Sequence, residues 1–258
     1  MITSVSNPRL KLVRRLRSRR QRERLGLFVC EGEDLVAAGL AAGLEPVEAL
    51  VDAERPPLLD GLAAEEVAPR LLAEVSLLGH PPRVLAVFRR ADLPSLTASA
   101  APPVGVALWR VVDPGNAGTL LRTSDGLGPA FLAESPGCAD LTGPKALRAS
   151  AGAVFRVPTG RFEDAPRPWI ALVPRGGRRL VELEFDERAS FVLGAERDPI
   201  PTPSGLAGPN PLQVTIGRIY SIEREPHVLG ARRFGSHGRR EERDRQPCHS
   251  THQNTIPI

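Results

Sequence analysis

The chain has 258 residues and a formal net charge of +4, with 41% hydrophobic and 25% charged residues. This composition is typical of a soluble globular protein with two modest domains or one large domain. No uncharged apolar run is long enough to cross a bilayer, and residues 1–25 lack the apolar segment of a secretory signal peptide. Three isolated cysteines, Cys30, Cys138 and Cys248, favour a reducing compartment, and we therefore expect a cytoplasmic protein.

Positive charge is concentrated in residues 1–25, which hold nine basic residues and one acidic residue. After a short lead-in, the spacing of Leu10, Val13 and Leu16 predicts a helix up to Arg24 with one apolar face. A basic block of this kind suits a polyanion, either nucleic acid or an anionic membrane face. A helix face that is simply solvated would have the same composition, and the sequence leaves these alternatives open.

Strand-like and helix-like patterns alternate from residue 25 onward. This alternation predicts a small α/β domain over residues 1–92, followed by a polar, proline-containing linker over residues 93–103. The predicted strands cover residues 25–30, 46–51 and 83–88, and the predicted helices cover residues 33–44 and 64–73.

The same alternation returns after the linker and predicts a second α/β domain with a parallel sheet over residues 104–198. Residues 199–258 hold eight prolines and four of the five histidines but almost no periodic apolar segment, so we predict an atypical, disordered tail. In the second domain the predicted strands are 104–112, 130–133, 154–157, 169–173 and 191–193, and the predicted helices are 116–127 and 144–151.

Several common catalytic motifs are absent from the sequence. There is no phosphate-binding loop of the G-x-x-x-x-G-K-[ST] type, no G-x-G-x-x-G after a strand and no G-x-S-x-G nucleophile elbow. Cys248, His249 and His252 lie close together in the predicted tail, but their spacing matches no common zinc site, and we expect no metal. The strongest remaining candidate for chemistry is residues 111–128.

This stretch, VVDPGNAGTLLRTSDGLG, leads from a predicted strand into a helix and contains Asn116, Gly118 and Arg122. As an ordinary helix start, Asn116 would be the N-cap and Gly118 would permit close packing. Arg122 would then be a surface residue one and a half turns later. The stretch alone is compatible both with this interpretation and with a working site.

Two further segments accompany it. Residues 144–155 read PKALRASAGAVF, and a predicted strand ends in Leu193-Gly194-x-Glu196. Together with the N-x-G-x-x-x-R motif and the RVLAVF strand, they make the chain resemble the SpoU-type (TrmH-like) RNA ribose 2′-O-methyltransferases of the SPOUT superfamily. The resemblance implies an α/β-knot methyltransferase domain that follows an α/β RNA-binding domain similar to a ribosomal protein.

The resemblance implies that the protein transfers a methyl group from S-adenosylmethionine to a ribose 2′-OH of ribosomal or transfer RNA. It also implies a homodimer, the usual assembly in the family. A guanidinium keeps its proton at neutral pH, so we interpret Arg122 as the group that binds the adjacent phosphate and orients the 2′-OH. Asn116 would hold Arg122 or the ribose by hydrogen bonding. The residues implied are Arg122, Asn116 and Glu196 as catalytic groups, and Leu193, Gly194 and Gly118 as cofactor contacts.

The resemblance also implies contacts with RNA. Basic residues of the N-terminal domain would supply sequence-independent affinity, which depends strongly on salt. For Lys145 and Arg148, near the motif helix, solvation of a helix surface is an equally good explanation. The predicted RNA-binding residues are Arg9, Lys11, Arg14, Arg15, Lys145 and Arg148.

The family's third motif, an S-L-N-containing segment expected shortly after Glu196, does not occur in the chain. In the family this segment supplies much of the cofactor pocket and is threaded through the knot. Its absence predicts an incomplete knot and weak cofactor binding. Residues 199–258 are then either a divergent tail or the product of a shifted reading frame. Two rival hypotheses remain: an RNA-binding protein with an inactive catalytic domain, and an unrelated α/β protein with chance motifs.

Overall fold

Two β-sheets with flanking helices make up the part of the chain that the structure describes, all of it within one compact unit, Met1–Gly217. None of the described helices is long and apolar enough to cross a membrane. Glu196 and almost all of the predicted tail lie outside the described residues. A computed structural model describes residues 1–59, 61–97, 99–128, 130–173, 178–179, 187–194, 200 and 212–215.

The first sheet has four strands in the order β1-β4-β2-β3. Strand β4 is antiparallel to both of its neighbours, whereas β2 and β3 are parallel. Five of the six residues in β4 are buried, as expected for a central strand that is covered on both faces. The elements are α1 (Pro8–Leu16), α2 (Arg19–Leu25), β1 (Leu27–Glu31), α3 (Glu33–Ala41), β2 (Glu48–Asp52), β3 (Glu65–Val67), α4 (Pro69–Val75) and β4 (Val84–Arg89).

The second sheet has seven strands in the order β7-β6-β5-β10-β8-β11-β9, and all of its neighbouring strands are parallel. The predicted α/β class with a parallel sheet is therefore confirmed. The elements are β5 (Val104–Trp109), α5 (Pro114–Leu127), β6 (Ala130–Glu134), α6 (Pro144–Ser150), β7 (Thr159–Arg161), β8 (Trp169–Val173), β9 (Arg178–Arg179), β10 (Ala189–Gly194) and β11 (Leu212–Thr215).

Two predictions in the N-terminal half were wrong in detail. The single basic helix is two helices, because Ser18 has an extended backbone and begins α2 as its N-cap. The helix predicted over residues 64–73 is a strand followed by a helix. Its first part pairs with β2, and Pro69 at the first helical position starts α4.

Two predictions after residue 103 also differ from the structure, and the predicted linker makes contacts of its own. Residues 153–155 form a 3-10 turn rather than a strand, because the left-handed backbones of Ala151 and Gly152 turn the chain first. Within the predicted linker, Leu96 is buried and its N–H donates to the carbonyl of Thr159. A strand at residues 212–215, inside the predicted tail, pairs with β8 and extends the sheet beyond residue 198.

One buried hydrophobic cluster contains residues of both sheets. Phe28 of β1 and Phe88 of β4 pack against Phe155, which follows α6, with ring centroids 5.6–6.2 Å apart. The same buried cluster contains Leu121 of α5 and Leu132 of β6. Because an apolar contact of this kind resists separation, the RNA-binding and catalytic parts predicted from the sequence are held in a fixed relation.

A buried ionic group, which we call the Asp140 cluster (Arg22, Arg90, Asp140 and Thr142), reinforces this contact. Two guanidinium nitrogens of Arg22, on α2, donate to the Asp140 carboxylate at 2.7–2.9 Å. The third, Nη1, donates to two backbone carbonyls at the end of α1. Arg90 and Thr142 bond to the other carboxylate oxygen. Burial alone would raise the pKa of Asp140, but the hydrogen bonds from Thr142 and Arg22 hold it below its ordinary value.

Candidate active site

The first motif lies at the start of α5, whose N-cap is Asp113 rather than Asn116. The Asp113 carboxylate accepts the backbone N–H of Asn116 at 2.8 Å, and Pro114 occupies the first helical position. This hydrogen bond, together with the Lys145 ammonium at 3.1 Å, lowers the pKa of Asp113. The Asn116 side chain is exposed and is not needed to start the helix.

Gly118 lies where α5 crosses α6. A Cβ at this position would overlap the backbone carbonyl oxygen of Ala146, and it would also meet the Ala149 side chain. Glycine is therefore required for the two helices to pack this closely. This is the backbone-to-backbone approach that the sequence suggested, while contact of Gly118 with a cofactor stays a prediction.

Arg122 is exposed on α5 and makes no hydrogen bond or ion pair with any residue that the structure describes. The predicted hydrogen bond between Asn116 and Arg122 is not among the described contacts, since residues six apart point about 120° apart around a helix. The neighbouring hydroxyls of Thr119 and Thr123 bond back to carbonyls of their own helix. The guanidinium is thus the unpaired charged group on this face of α5.

The second motif lies at the carboxyl end of β10, in the middle of the parallel sheet. Leu193 pairs with Leu108 of β5, which in turn pairs with Glu134 of β6, and Gly194 pairs with Trp109. Leu193 also packs against the buried cluster that contains Ala117 and Leu121 of α5. The two motifs therefore border the same buried cluster, Leu193 from β10 and Ala117 and Leu121 from α5.

The edge formed by these strand ends is suited to ligand binding. Ligands of open parallel sheets bind beyond the carboxyl ends of the strands. Gly194 presents no side chain there, and Arg110, directly after β5, has a left-handed backbone with φ of +52°. Such strained non-glycine residues cluster at functional sites. Glu196, a predicted member of the site, lies outside the described residues.

The predicted RNA-binding residues divide into two groups. Arg9 pairs with Glu48 and Glu65, and Arg14 pairs with Glu74, so their charges are used within the domain. Lys145 pairs with the N-cap of α5 as described above. The side chains of Lys11, Arg15 and Arg148 are exposed and bond to no described residue.

Within the described ranges, no group of three or more histidine, cysteine or acidic residues is placed to hold a metal ion. Cys30 and Cys138 are free and buried, and burial raises the pKa of the Cys30 thiol. Cys248, His249 and His252 lie outside the described residues.

Sequence reasoning missed the Asp140 cluster. Arg22 and Asp140 are 118 positions apart, and no local pattern indicates that two such residues will meet. It also missed Glu134. Burial, together with the charge of Asp140, raises the pKa of Glu134 to about 7, although the charges of Arg19 and Arg90 act to lower it. A carboxyl at the end of a buried strand was the available signal for this residue.

Two family models match the chain. Residues 103–204 match the SpoU rRNA Methylase family, and residues 7–86 match the MRM3-like substrate binding domain. These matches overturn the hypothesis of an unrelated α/β protein with chance motifs.

Individual proteins agree with the family models. The chain is 29% identical over 248 residues to an uncharacterized tRNA/rRNA methyltransferase from Synechocystis, covering 88% of this chain and 86% of that protein. It is 30% identical to the 23S rRNA (guanosine(2553)-2′-O)-methyltransferase RlmP of Bacillus subtilis, covering 62% of this chain and 64% of that protein. The fold matches the SpoU methyltransferase AviRb of Streptomyces viridochromogenes, solved in complex with AdoMet, with a TM-score of 0.69 and 23% identity over 82% and 89% of the two chains.

Proposed function

Because this chain belongs to the SpoU family of RNA methyltransferases, we propose that it transfers a methyl group from S-adenosylmethionine to a ribose 2′-OH of ribosomal RNA. The observation that carries the proposal is the placement of the motif arginine. Arg122 is exposed and unpaired among the described residues, on a helix that contributes to the buried cluster against which Leu193 packs. A cation left free beside a candidate cofactor site is suited to an anionic substrate.

Arg122 acts on the RNA rather than as a resting base. Its guanidinium remains protonated at neutral pH and donates in a planar fork that matches a phosphate group. Bound to the phosphate next to the target ribose, it would orient the 2′-OH and stabilise the negative charge that develops as the hydroxyl loses its proton. Asn116, exposed one and a half turns earlier, is available to hydrogen-bond the ribose rather than Arg122.

The cofactor would lie at the carboxyl edge of the sheet. Leu193 and Gly194 are proposed to line it, with Glu196 orienting neighbouring groups, and the bound cofactor supplies the electrophilic methyl group. Gly118 is the weakest of the predicted cofactor contacts, since the space beside its Cα is filled by α6. We keep Gly118 as a residue that positions α5.

The RNA-binding surface would use basic residues that bond to none of the described residues. Lys11 and Arg15 are one turn apart on α1, and Arg20 and Arg24 are one turn apart on α2, so each pair shares a helix face. All four are exposed and unpaired among the described residues. Arg148 on α6 would extend this surface, whereas the charges of Arg9, Arg14 and Lys145 are already engaged.

We further propose a cytoplasmic homodimer. The two buried free cysteines suit a reducing compartment. Val112, just before α5, and Leu127, its last residue, are 69% and 80% exposed, and a second copy of the chain would cover such apolar side chains. Light scattering of the purified protein measures this assembly directly.

The experiment that tests the function uses the full chain, labelled S-adenosylmethionine and unmodified ribosomal RNA transcripts. We expect the chain to bind the cofactor, weakly because the S-L-N segment is missing, and to transfer label to one ribose, located by mass spectrometry of nuclease digests. RNA binding without cofactor binding would favour the alternative, an RNA-binding protein with an inactive catalytic domain. The missing S-L-N segment makes this alternative worth testing.

A further inference from the structure

A polar cavity of about 430 Å³ opens beside the carboxyl ends of β6 and β7. Its lining includes Arg19 from α2, Glu134 at the end of β6, Thr159 and Arg161 of β7, and Glu163. Both halves of the described structure therefore contribute to one concave site. Its volume is within the range of small-molecule sites, which begins at roughly 300 Å³.

Glu134 is the unusual group in this cavity. Its Oε2 atom is shielded from solvent and accepts no hydrogen bond from any residue that the structure describes. Unpaired buried polar atoms are rare in folded proteins, and leaving a carboxylate oxygen in this state costs free energy. A ligand that donates hydrogen bonds would supply the missing partner once the side chain turns this oxygen toward the cavity.

The charged groups around Glu134 come from several elements. Asp140, in the loop after β6, raises its pKa, while Arg19 of α2 and Arg90 after β4 lower it. Arg161 and Glu163 complete the charged lining of the cavity. Arg19 and Arg161 are already paired, with Glu23 and Asp164 respectively.

This balance of charge distinguishes the cavity from a phosphate site. Two arginines and two glutamates line it, and both arginines already have carboxylate partners. A phosphate would meet the repulsion of Glu134 and Glu163, whereas a neutral polar ring with N–H donors would not. A nucleobase is a group of this kind.

The register of the sheet places the cavity near the proposed methyl-transfer site. Glu134, Leu108 and Leu193 form one row across β6, β5 and β10. Glu134 is therefore two strand spacings, roughly 10 Å, from the strand end that is proposed to line the cofactor. An RNA segment with its ribose at that strand end could place a base in the cavity.

We propose that this cavity is a nucleobase-binding subsite in which Glu134 accepts hydrogen bonds from the base edge, with guanine as the preferred base. Guanine is favoured because it presents a ring N–H and an exocyclic amine side by side, and a carboxylate can accept from both. Single-stranded RNA is commonly recognised through splayed-out bases in this way. The inference rests on the proposed function for its RNA substrate, but base binding can be measured separately.

The test titrates the full chain with each of the four ribonucleoside 5′-monophosphates at pH 8 and pH 6, followed by NMR. At pH 8 we expect GMP to bind about tenfold more tightly than AMP, a difference typical of one good base contact. At pH 6 GMP should bind more weakly, because protonation removes an acceptor from Glu134.

Glu134→Gln keeps the shape of the side chain and removes its charge. It should weaken GMP binding about tenfold at pH 8 and leave AMP binding unchanged, while Glu66→Gln, an exposed control on β3, should change neither. Equal affinities for GMP and AMP, GMP binding unaltered by Glu134→Gln, or no GMP saturation up to about 10 mM would each overturn the inference.

The methyl-transfer assay separates this proposal from the proposed function. A wild-type chain that methylates RNA but shows no Glu134-dependent base preference contradicts the subsite alone. A chain that transfers no methyl group but binds GMP through Glu134 contradicts the proposed function alone. If both hold, Glu134→Gln should raise KM for the RNA about tenfold with little change in kcat.

Discussion

Two arginines on helices of this protein have opposite environments. Arg22 of α2 is 5% exposed, and its guanidinium donates to the Asp140 carboxylate and to two backbone carbonyls. Arg122 of α5 is exposed and bonds to no described residue. The first stabilises the contact between the two sheets, whereas the second has its full hydrogen-bonding capacity available for a substrate.

The difference shows that a basic composition does not by itself indicate a binding surface. Residues 1–25 are strongly basic, yet part of that charge is used to hold the fold together. The residues available to RNA are those without internal partners. Substitutions that affect stability can therefore be separated from substitutions that affect RNA.

The largest effect on stability is expected from Arg22→Ala. Removing one partner of a buried ion pair leaves the other charge uncompensated, and we expect a loss of about 3 kcal/mol in the free energy of unfolding. Urea denaturation measures this loss. Arg89→Ala, which removes an exposed arginine 3.8 Å from Asp92, should change stability by less than about 0.5 kcal/mol. Equal losses for the two variants would contradict the distinction drawn between buried and exposed arginines.

Gly118→Ala tests the packing that positions Arg122. The new methyl group would overlap the Ala146 carbonyl oxygen, and overpacking of this kind should destabilise the protein by about 2 kcal/mol. The matched control is Gly126→Ala on the same helix, where a Cβ meets nothing within 4 Å. That variant should be neutral or slightly stabilising, because alanine favours helix. Thermal unfolding of the two variants shows whether the lack of space for a methyl group or the higher helix propensity of alanine dominates at Gly118.

Glu134→Gln extends the comparison to the carboxylates. The folded-state pKa of about 7 lies above the ordinary value, so ionising Glu134 costs stability as the pH rises from about 4.5 to 7. Glutamine avoids this cost, and we expect a gain of about 3 kcal/mol at pH 8 that disappears below about pH 4.5. The free energies of unfolding of both proteins, measured across this pH range, test this expectation. A gain that does not depend on pH would show that ionisation is not its cause.

The smallest effect is expected for single surface arginines. Arg15→Gln should reduce the log–log salt slope of RNA binding by roughly 0.7 to 0.9, the amount for one phosphate contact. Arg14→Gln, on the same helix, should reduce it less because Arg14 is paired with Glu74. Filter-binding titrations at several salt concentrations measure both slopes. A larger change for Arg14 than for Arg15 would contradict the assignment of the free residues to RNA.

The sequence was sufficient to predict those helices and strands whose determinants lie within the same short segment of the chain. Helix α5 could be predicted because Pro114, a cap and an apolar period occur together, although the cap proved to be Asp113. The 3-10 turn at residues 153–155 could not, since Val154 and Phe155 favour strands and the turn depends on a left-handed backbone just before them. Local propensity was overridden there by the path of the chain.

The candidate site was predictable to a similar extent. The two motifs could be recognised as residue patterns, and in the structure Leu193 packs against the buried cluster to which α5 contributes. The Asp140 cluster and the state of Glu134 depend on contacts between distant segments and on burial, neither of which a residue pattern contains.

The most direct test of the central claim measures methyl transfer by Arg122→Ala beside the control Arg89→Ala. Label from S-adenosylmethionine should appear in alkali-resistant dinucleotides of ribosomal RNA, since methylation of the 2′-OH blocks cleavage at that ribose. We expect Arg122→Ala to lower the rate about 100-fold or more with unchanged folding stability, and Arg89→Ala to match the wild type. Label on a base, or full activity of Arg122→Ala, would contradict the account.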